Sequence, residues 1–242
     1  MGSQLIEQNM YAIDNNHTIN YIFESIRLEL VKVSTNIEYA INTKDIANLE
    51  TAKYSSQNML KLVETYLKYT NSDDTTDSQI IEPVSLSALL SGVVSSMKPY
   101  ADWQQCDLGL SIEGKYQPVM ANREMLQTVM NSLSSLFITA HGEYRHKRRP
   151  LILYVVRRTR AGITAGIYSD LEGINSDMLN TARKLYGKAS NPLNGLTTNT
   201  NAGLYLADLL LHKMSSSLKI GKFNKLHGLV TTFQPSKQLL LV

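Results

Sequence analysis

Histidine is the side chain best suited to chemistry near neutral pH without a cofactor, and the chain has five: His17, His141, His146, His212 and His227. His141 and His146 flank a basic loop and lack a metal-like partner set, so both are expected exposed and unliganded. His212 and His227 fall in separate elements with no constellation around them. The lone Cys106 excludes an internal disulfide framework and a cysteine-rich zinc site. Asp73, Asp74 and Asp77 lack calcium-loop spacing and read as a solvated linker. There is no Ser–His–Asp motif and no phosphate loop of the P-loop type. His17 stands two residues before Ile19, where a long apolar stripe begins. His17 is off the stripe and therefore on an exposed face, which by itself also describes an ordinary surface histidine.

The element that would carry His17 is a helical hairpin. Ile19, Phe23, Ile26, Leu30, Val33, Ile37 and Ala40 or Ile41 recur in steps of about three and four, one face of a helix. Asn42-Thr43-Lys44-Asp45 interrupts the pattern with turn formers, and Asp45 can cap the next helix. A thinner stripe follows: Ile46, Leu49, Ala52, Ser56, Leu60, Val63 and Leu67. No glycine or proline occurs from Thr18 through Glu82. Two amphipathic helices joined by a short turn pack antiparallel. They cannot cover their own apolar faces, so a second copy is expected to complete a four-helix bundle; the alternative cover is the downstream domain of the same chain.

Residues 71–78, NSDDTTDS, read as a linker. Beyond it Ser85 caps a helix with Leu86, Leu89, Leu90, Val93, Val94 and Met97 on one face, closed by Pro99. Residues 107–112 alternate like a strand, and 116–121 form a second, irregular at Pro118. Asn122 caps a helix that buries Leu126, Val129, Met130, Leu133 and Phe137. Strands over 151–156 and 162–168, helices over 176–185 and 203–214, and strands over 218–223 and 229–234 complete the pattern, the last two joined by a turn that includes Gly228. The reading is α+β: the hairpin over 1–72, a linker over 73–81, and a two-layer α/β sandwich over 82–242. An apolar fraction of 43% supports a real core, and a net charge of +3 does not imply nucleic acid or a membrane surface. No apolar run spans a bilayer and residues 1–10 lack a signal-peptide pattern, so a cytoplasmic location is expected.

The order of these pieces resembles a bacterial histidine kinase core: a dimerisation and histidine-phosphotransfer hairpin followed by an ATPase domain of the GHKL type. The resemblance runs from about His17 to Pro235 through the segment EPVSLSALL, the helix carrying Asn131, and the late GLYLA helix with its two strands. In this family apolar residues stand two, six, nine and thirteen positions after the phosphorylated histidine; here those are Ile19, Phe23, Ile26 and Leu30. The resemblance therefore implies that His17 attacks a phosphoryl group in line and holds it as a phosphoramidate. The family's acidic neighbour is Thr18 here, and its proline is Ile22.

The nucleotide boxes depart further. Asn131 matches the first asparagine of the metal-binding helix, and the metal-binding asparagine four positions on falls on Ser135. The adenine box falls on residues 169–174: Gly173 and Ile174 fit, the aspartate position is Ser169, Asp170 fits only with a deletion, and the first glycine is Leu171. Gly203 matches the later glycine-rich box, whose second glycine is Tyr205, a side chain that would block the close backbone approach phosphates need. What is implied is a degenerate ATPase domain with vestigial positions Asn131, Ser135, Asp170, Gly173 and Gly203, no cofactor and no metal of its own.

Three readings follow. The first is a dimeric histidine phosphotransferase, in which His17 exchanges phosphoryl groups with response-regulator receiver domains, an upstream hybrid kinase being a further candidate partner. Arg145, Lys147, Arg148, Arg149, Arg157, Arg158 and Arg160 would then dock an acidic receiver surface, or else form a solvated loop and strand edge. The second is a scaffold that binds a kinase or receiver without chemistry, which Thr18 favours. The third is an active kinase with a divergent ATP site, for which Asp170 and Gly173 speak.

Overall fold

A computed structural model describes residues 30–31, 33–44, 49, 52–54, 56–57, 60–61, 63–65, 67, 80–142, 148–171, 174, 176–184 and 200–236, with backbone alone at 142, 181–184, 200–203 and 205–206. The main body is built in the order β1 (Glu82–Val84), α1 (Leu86–Trp103), β2 (Asp107–Ile112), β3 (Val119–Ala121), α2 (Arg123–Gly142), β4 (Leu151–Thr159), β5 (Gly162–Ser169), α3 (Ser176–Lys184), α4 (Thr200–Lys213), β6 (Lys219–Phe223) and β7 (Leu226–Phe233).

Five strands form one sheet in the order β2-β4-β5-β7-β6, parallel between β2 and β4 and antiparallel elsewhere. β1 and β3 form a separate antiparallel pair. The alternation along β4 separates two faces. Ile152, Tyr154 and Val156 turn into the main core with Leu126, Val129, Leu133 and Phe137 of α2 and Leu204, Ala207 and Leu210 of α4. Val155 turns the other way, into a small cluster with Tyr168, Phe223 and Val230. Among the described residues the helices thus cover one face, and the other carries this smaller apolar patch.

The caps form as the sequence implies. Ser85 accepts from the Ala88 amide, and Asn122 Oδ1 accepts from the Met125 amide at 2.9 Å. Two boundaries differ from expectation. Pro99 does not close α1, which runs on to Trp103. The final turn still buries Tyr100 and Ala101, and that packing outweighs the one hydrogen bond proline removes. Gly228 is not in the β6–β7 turn; it lies inside β7, and the turn is at Asn224, whose φ is +53°. The Tyr168 ring lies over Gly228, where a Cβ would meet the Ile167 carbonyl and the ring itself. A glycine so placed marks close packing rather than a bend.

Burial pushes the Cys106 thiol from 9.0 up to about 11, against the pull of the Arg149 guanidinium. The folded chain therefore holds that proton more tightly than the unfolded one. This contribution to stability is complete below pH 9 and is lost as the pH rises towards 11.

N-terminal to this body, residues 33–43 are helical, as are the described residues between 49 and 67. The second of these helical stretches touches the body along Tyr54, Lys61 and Thr65. Lys61 Nζ donates to Glu124 Oε1 at 2.9 Å, the Thr65 and Thr128 hydroxyls are 3.2 Å apart, and Tyr54 packs on Tyr100 and Trp103. The predicted apolar stripes divide. Ala40 and Ala52 are buried and Val33 and Val63 half-buried, whereas Leu30, Ile37, Ile41, Leu49, Leu60 and Leu67 are exposed.

Candidate functional site

α2 crosses the core against α4 and carries both Asn131 and Ser135. Its buried side includes Thr128, Ser132, Ser134 and Ser135, small hydroxyl residues that let a helix sit close to its neighbours. Ser134 satisfies its own hydroxyl by donating back to the Met130 carbonyl at 2.6 Å. Ser135 is 9% exposed. Asn131 Oδ1 is buried without a hydrogen-bond partner, an acceptor in want of a donor. Tyr154 on β4 lies against this stretch, and burial raises its phenol far above the usual tyrosine range, offset in part by Ser134.

At the end of β5 the two candidate adenine-box side chains part company. Ser169 is fully buried, and its hydroxyl accepts from the Leu171 amide at 3.1 Å, closing a local turn. Asp170 is exposed, with its carboxylate 3.9 Å from Nε2 of His141. His141, in the last turn of α2, is 1% exposed rather than on the surface as its position beside a basic loop suggested. The last turn is pressed against the sheet end, so the loop's exposure does not extend back to it. Gly203 lies in the first turns of α4, on the α2 side of the sheet. Asn131, Ser135, Asp170 and Gly203 thus belong to elements packed on one another, while Gly173 and His17 lie outside the described residues.

The basic residues resolve into different roles. Arg149 is held within the domain, with Nη2 3.0 Å from Asp102 Oδ1 and Nε 3.2 Å from Asp107 Oδ1, clamping the end of α1 to the start of β2. Arg157 donates to the Lys222 carbonyl at 3.1 Å and sits over the Phe223 ring at 5.6 Å. Arg148, Arg158 and Arg160 are exposed. Arg145 and Lys147 are outside the described residues. Among the described residues no group of three or more His, Cys, Asp or Glu side chains could hold a metal ion, and no helix is long and apolar enough to cross a membrane.

The arrangement can be set beside known proteins. No family model matches the chain, and no curated protein matches it. Solved structures do. The histidine kinase ThkA, in a complex with the response regulator protein TrrA, superposes with a TM-score of 0.59 at 10% identity, over 96% of this chain and 65% of that one. The fold is similar to that of this histidine kinase. The Acinetobacter baumannii histidine kinase AdeS gives a TM-score of 0.52 at 11% identity, over 87% of this chain and 97% of that one. Full-length ShkA in complex with AMPPNP gives 0.51 at 12% identity, over 95% of this chain and 46% of that one. At such identities the likeness speaks for architecture, and the chemistry has to be argued from the side chains.

One relationship escaped the sequence reading. His212, without a constellation in the sequence, stands one turn from Asp208 on α4, with Nδ1 2.8 Å from the Asp208 carbonyl and 3.7 Å from its carboxylate. The spacing of four along a helix was the available signal.

Proposed function

We propose that the chain is a two-component signalling protein of the dimeric phosphotransferase type. It comprises a hairpin over residues 1–72, a linker over 73–81 and an ATPase-like domain over 82–242 that does not use ATP. In this reading His17 takes a phosphoryl group from an aspartyl phosphate on one receiver domain and returns it to another. The imidazole nitrogen attacks phosphorus as the aspartyl oxygen leaves, and the receiver supplies the metal.

The observation that carries the second half of the proposal is the pairing of Ser135 with Ser169. The position where the family places a metal-binding amide holds a short, buried hydroxyl. The position where it places an adenine-binding carboxylate holds a hydroxyl already committed to the Leu171 amide. A hard cation takes oxygen ligands at close range, which a buried serine side chain reaches poorly. These residues do not fit a magnesium nucleotide. The solved complex of ThkA with a response regulator supports a receiver as partner class.

A divergent histidine kinase has one observation in its favour, the unpartnered Asn131 Oδ1, which a ligand's donor would satisfy. A thermal melt with and without ATP and magnesium separates the two. The proposal expects no change in melting temperature at millimolar nucleotide, where a bound ligand at a hundredfold its Kd would add about 2.7 kcal/mol. A clear rise would establish the kinase reading instead.

A further inference from the structure

At the C-terminal end of α4, away from the metal-box and adenine-box positions, lies a cavity of about 290 Å³ lined by His212, Ser215, Ser216, Ser217, Lys219 and Thr232. Four hydroxyls, an ammonium and an imidazole face it, and no carboxylate lines it. Its frame is fixed. The Ser216 hydroxyl donates to the Thr232 carbonyl at 3.0 Å and lies 2.6 Å from the Thr231 hydroxyl, so the loop is held against β7. The Thr232 hydroxyl is 3.0 Å from that of Thr164 on β5. Asp208 is 2% exposed and accepts from the Leu218 amide at 2.8 Å, fixing where the loop re-enters the sheet. A carbonyl only accepts, so the 2.8 Å contact between His212 Nδ1 and the Asp208 carbonyl places the proton on Nδ1 and leaves Nε2 for a ligand.

Apart from the buried Asp208 carboxylate, 3.7 Å behind His212 and held by the Leu218 amide, the local sequence carries one sign. From Leu209 to Val242 the sequence contains no aspartate or glutamate, while Lys213, Lys219, Lys222, Lys225 and Lys237 fall in the same stretch. A divalent cation would find no carboxylate here and an ammonium in its way. An apolar ligand would find hydroxyls that want partners. The volume is at the lower limit for small-molecule sites, so it suits a compact ion with its first waters rather than a nucleotide.

We propose that this cavity is a binding site for a phosphate group, with Lys219 as the charged donor, Ser215, Ser217 and Thr232 as neutral donors, and His212 Nε2 as the acceptor for a phosphate hydroxyl. Charge-assisted hydrogen bonds are about twice as strong as neutral ones, so recognition rests chiefly on Lys219.

The test is titration of the full chain with inorganic phosphate at constant ionic strength, followed by amide NMR. Saturable shifts are expected at residues 215–219 and at Thr232. Lys219→Ala should weaken binding about tenfold, and His212→Ala should weaken it as well. Lys222→Ala, an exposed lysine on the same strand outside the cavity, should leave binding within about twofold, as expected of a screened surface charge. Absence of saturable binding at millimolar phosphate, or equal loss in Lys222→Ala, would overturn the site. Repeating the titration with O-phosphoserine separates the two sources of the group: tighter binding than phosphate points to a phosphorylated side chain, weaker binding to the free ion.

Discussion

The ring of Tyr54 stacks on the ring of Tyr100, with centroids 5.3 Å apart and planes 15° from parallel. Tyr100 is fully buried at the end of α1, and its hydroxyl lies 2.8 Å from that of Thr139 on α2. The stack therefore joins the second N-terminal helical stretch to both leading helices of the α/β body. Trp103 closes it edge-on at 5.5 Å.

Truncating this stack should free the body from the helix without unfolding either. Tyr54→Ala is expected to cost on the order of 2 kcal/mol, combining lost burial with the stacking preference. Lys61→Ala, which removes only a largely exposed ion pair to Glu124, should cost well under about 1 kcal/mol. Urea unfolding of the two variants beside wild type checks the order. Equal effects would mean that the ion pair, not the aromatic stack, fixes the contact.

The stripe that faces neither Tyr100 nor Glu124 sets a second expectation. Leu30, Ile37, Leu60 and Leu67 are exposed, and isolated chains seldom leave such residues open in register. Sedimentation at micromolar concentration should give a dimer, and Ile37→Glu with Leu60→Glu should give a monomer. A monomeric wild type would remove the four-helix bundle from the account.

Gly228 supports the outer face of the sheet. Gly228→Ala would drive a methyl group into the Ile167 carbonyl and the Tyr168 ring, neither of which is the end of a flexible side chain. The cost should be at least about 2 kcal/mol, read as a lowered melting temperature. Gly92→Ala, on the exposed side of α1 with open space around it, should be neutral or stabilising.

Much of this was legible before any coordinates. Both caps, the strand at 107–112 and the paired strands β4 and β5 follow from side-chain period and turn chemistry alone. What could not be read was tertiary. Pro99 is tolerated because Tyr100 and Ala101 are pulled into the core, and nothing local to Pro99 records that. Gly228 reads as a turn residue until Tyr168, sixty positions earlier in the chain, is known to lie on it. The place of His141 and the anchoring of Arg149 likewise depend on parts distant in sequence, the end of β5 beside His141 and Asp102 beside Arg149. At position 135, where the resemblance implies a metal-binding asparagine, the sequence itself has serine. It could not foresee that the Ser169 hydroxyl would be spent on the Leu171 amide.

The central claim is that the phosphoryl group resides on His17. Incubating the protein with a radiolabelled, aspartyl-phosphorylated receiver domain tests it most directly. The account predicts an acid-labile, alkali-stable label on wild type and none on His17→Ala, with both proteins dimeric and equally folded. Equal labelling of His17→Ala, or no labelling of wild type by any receiver from the same cell, would contradict it.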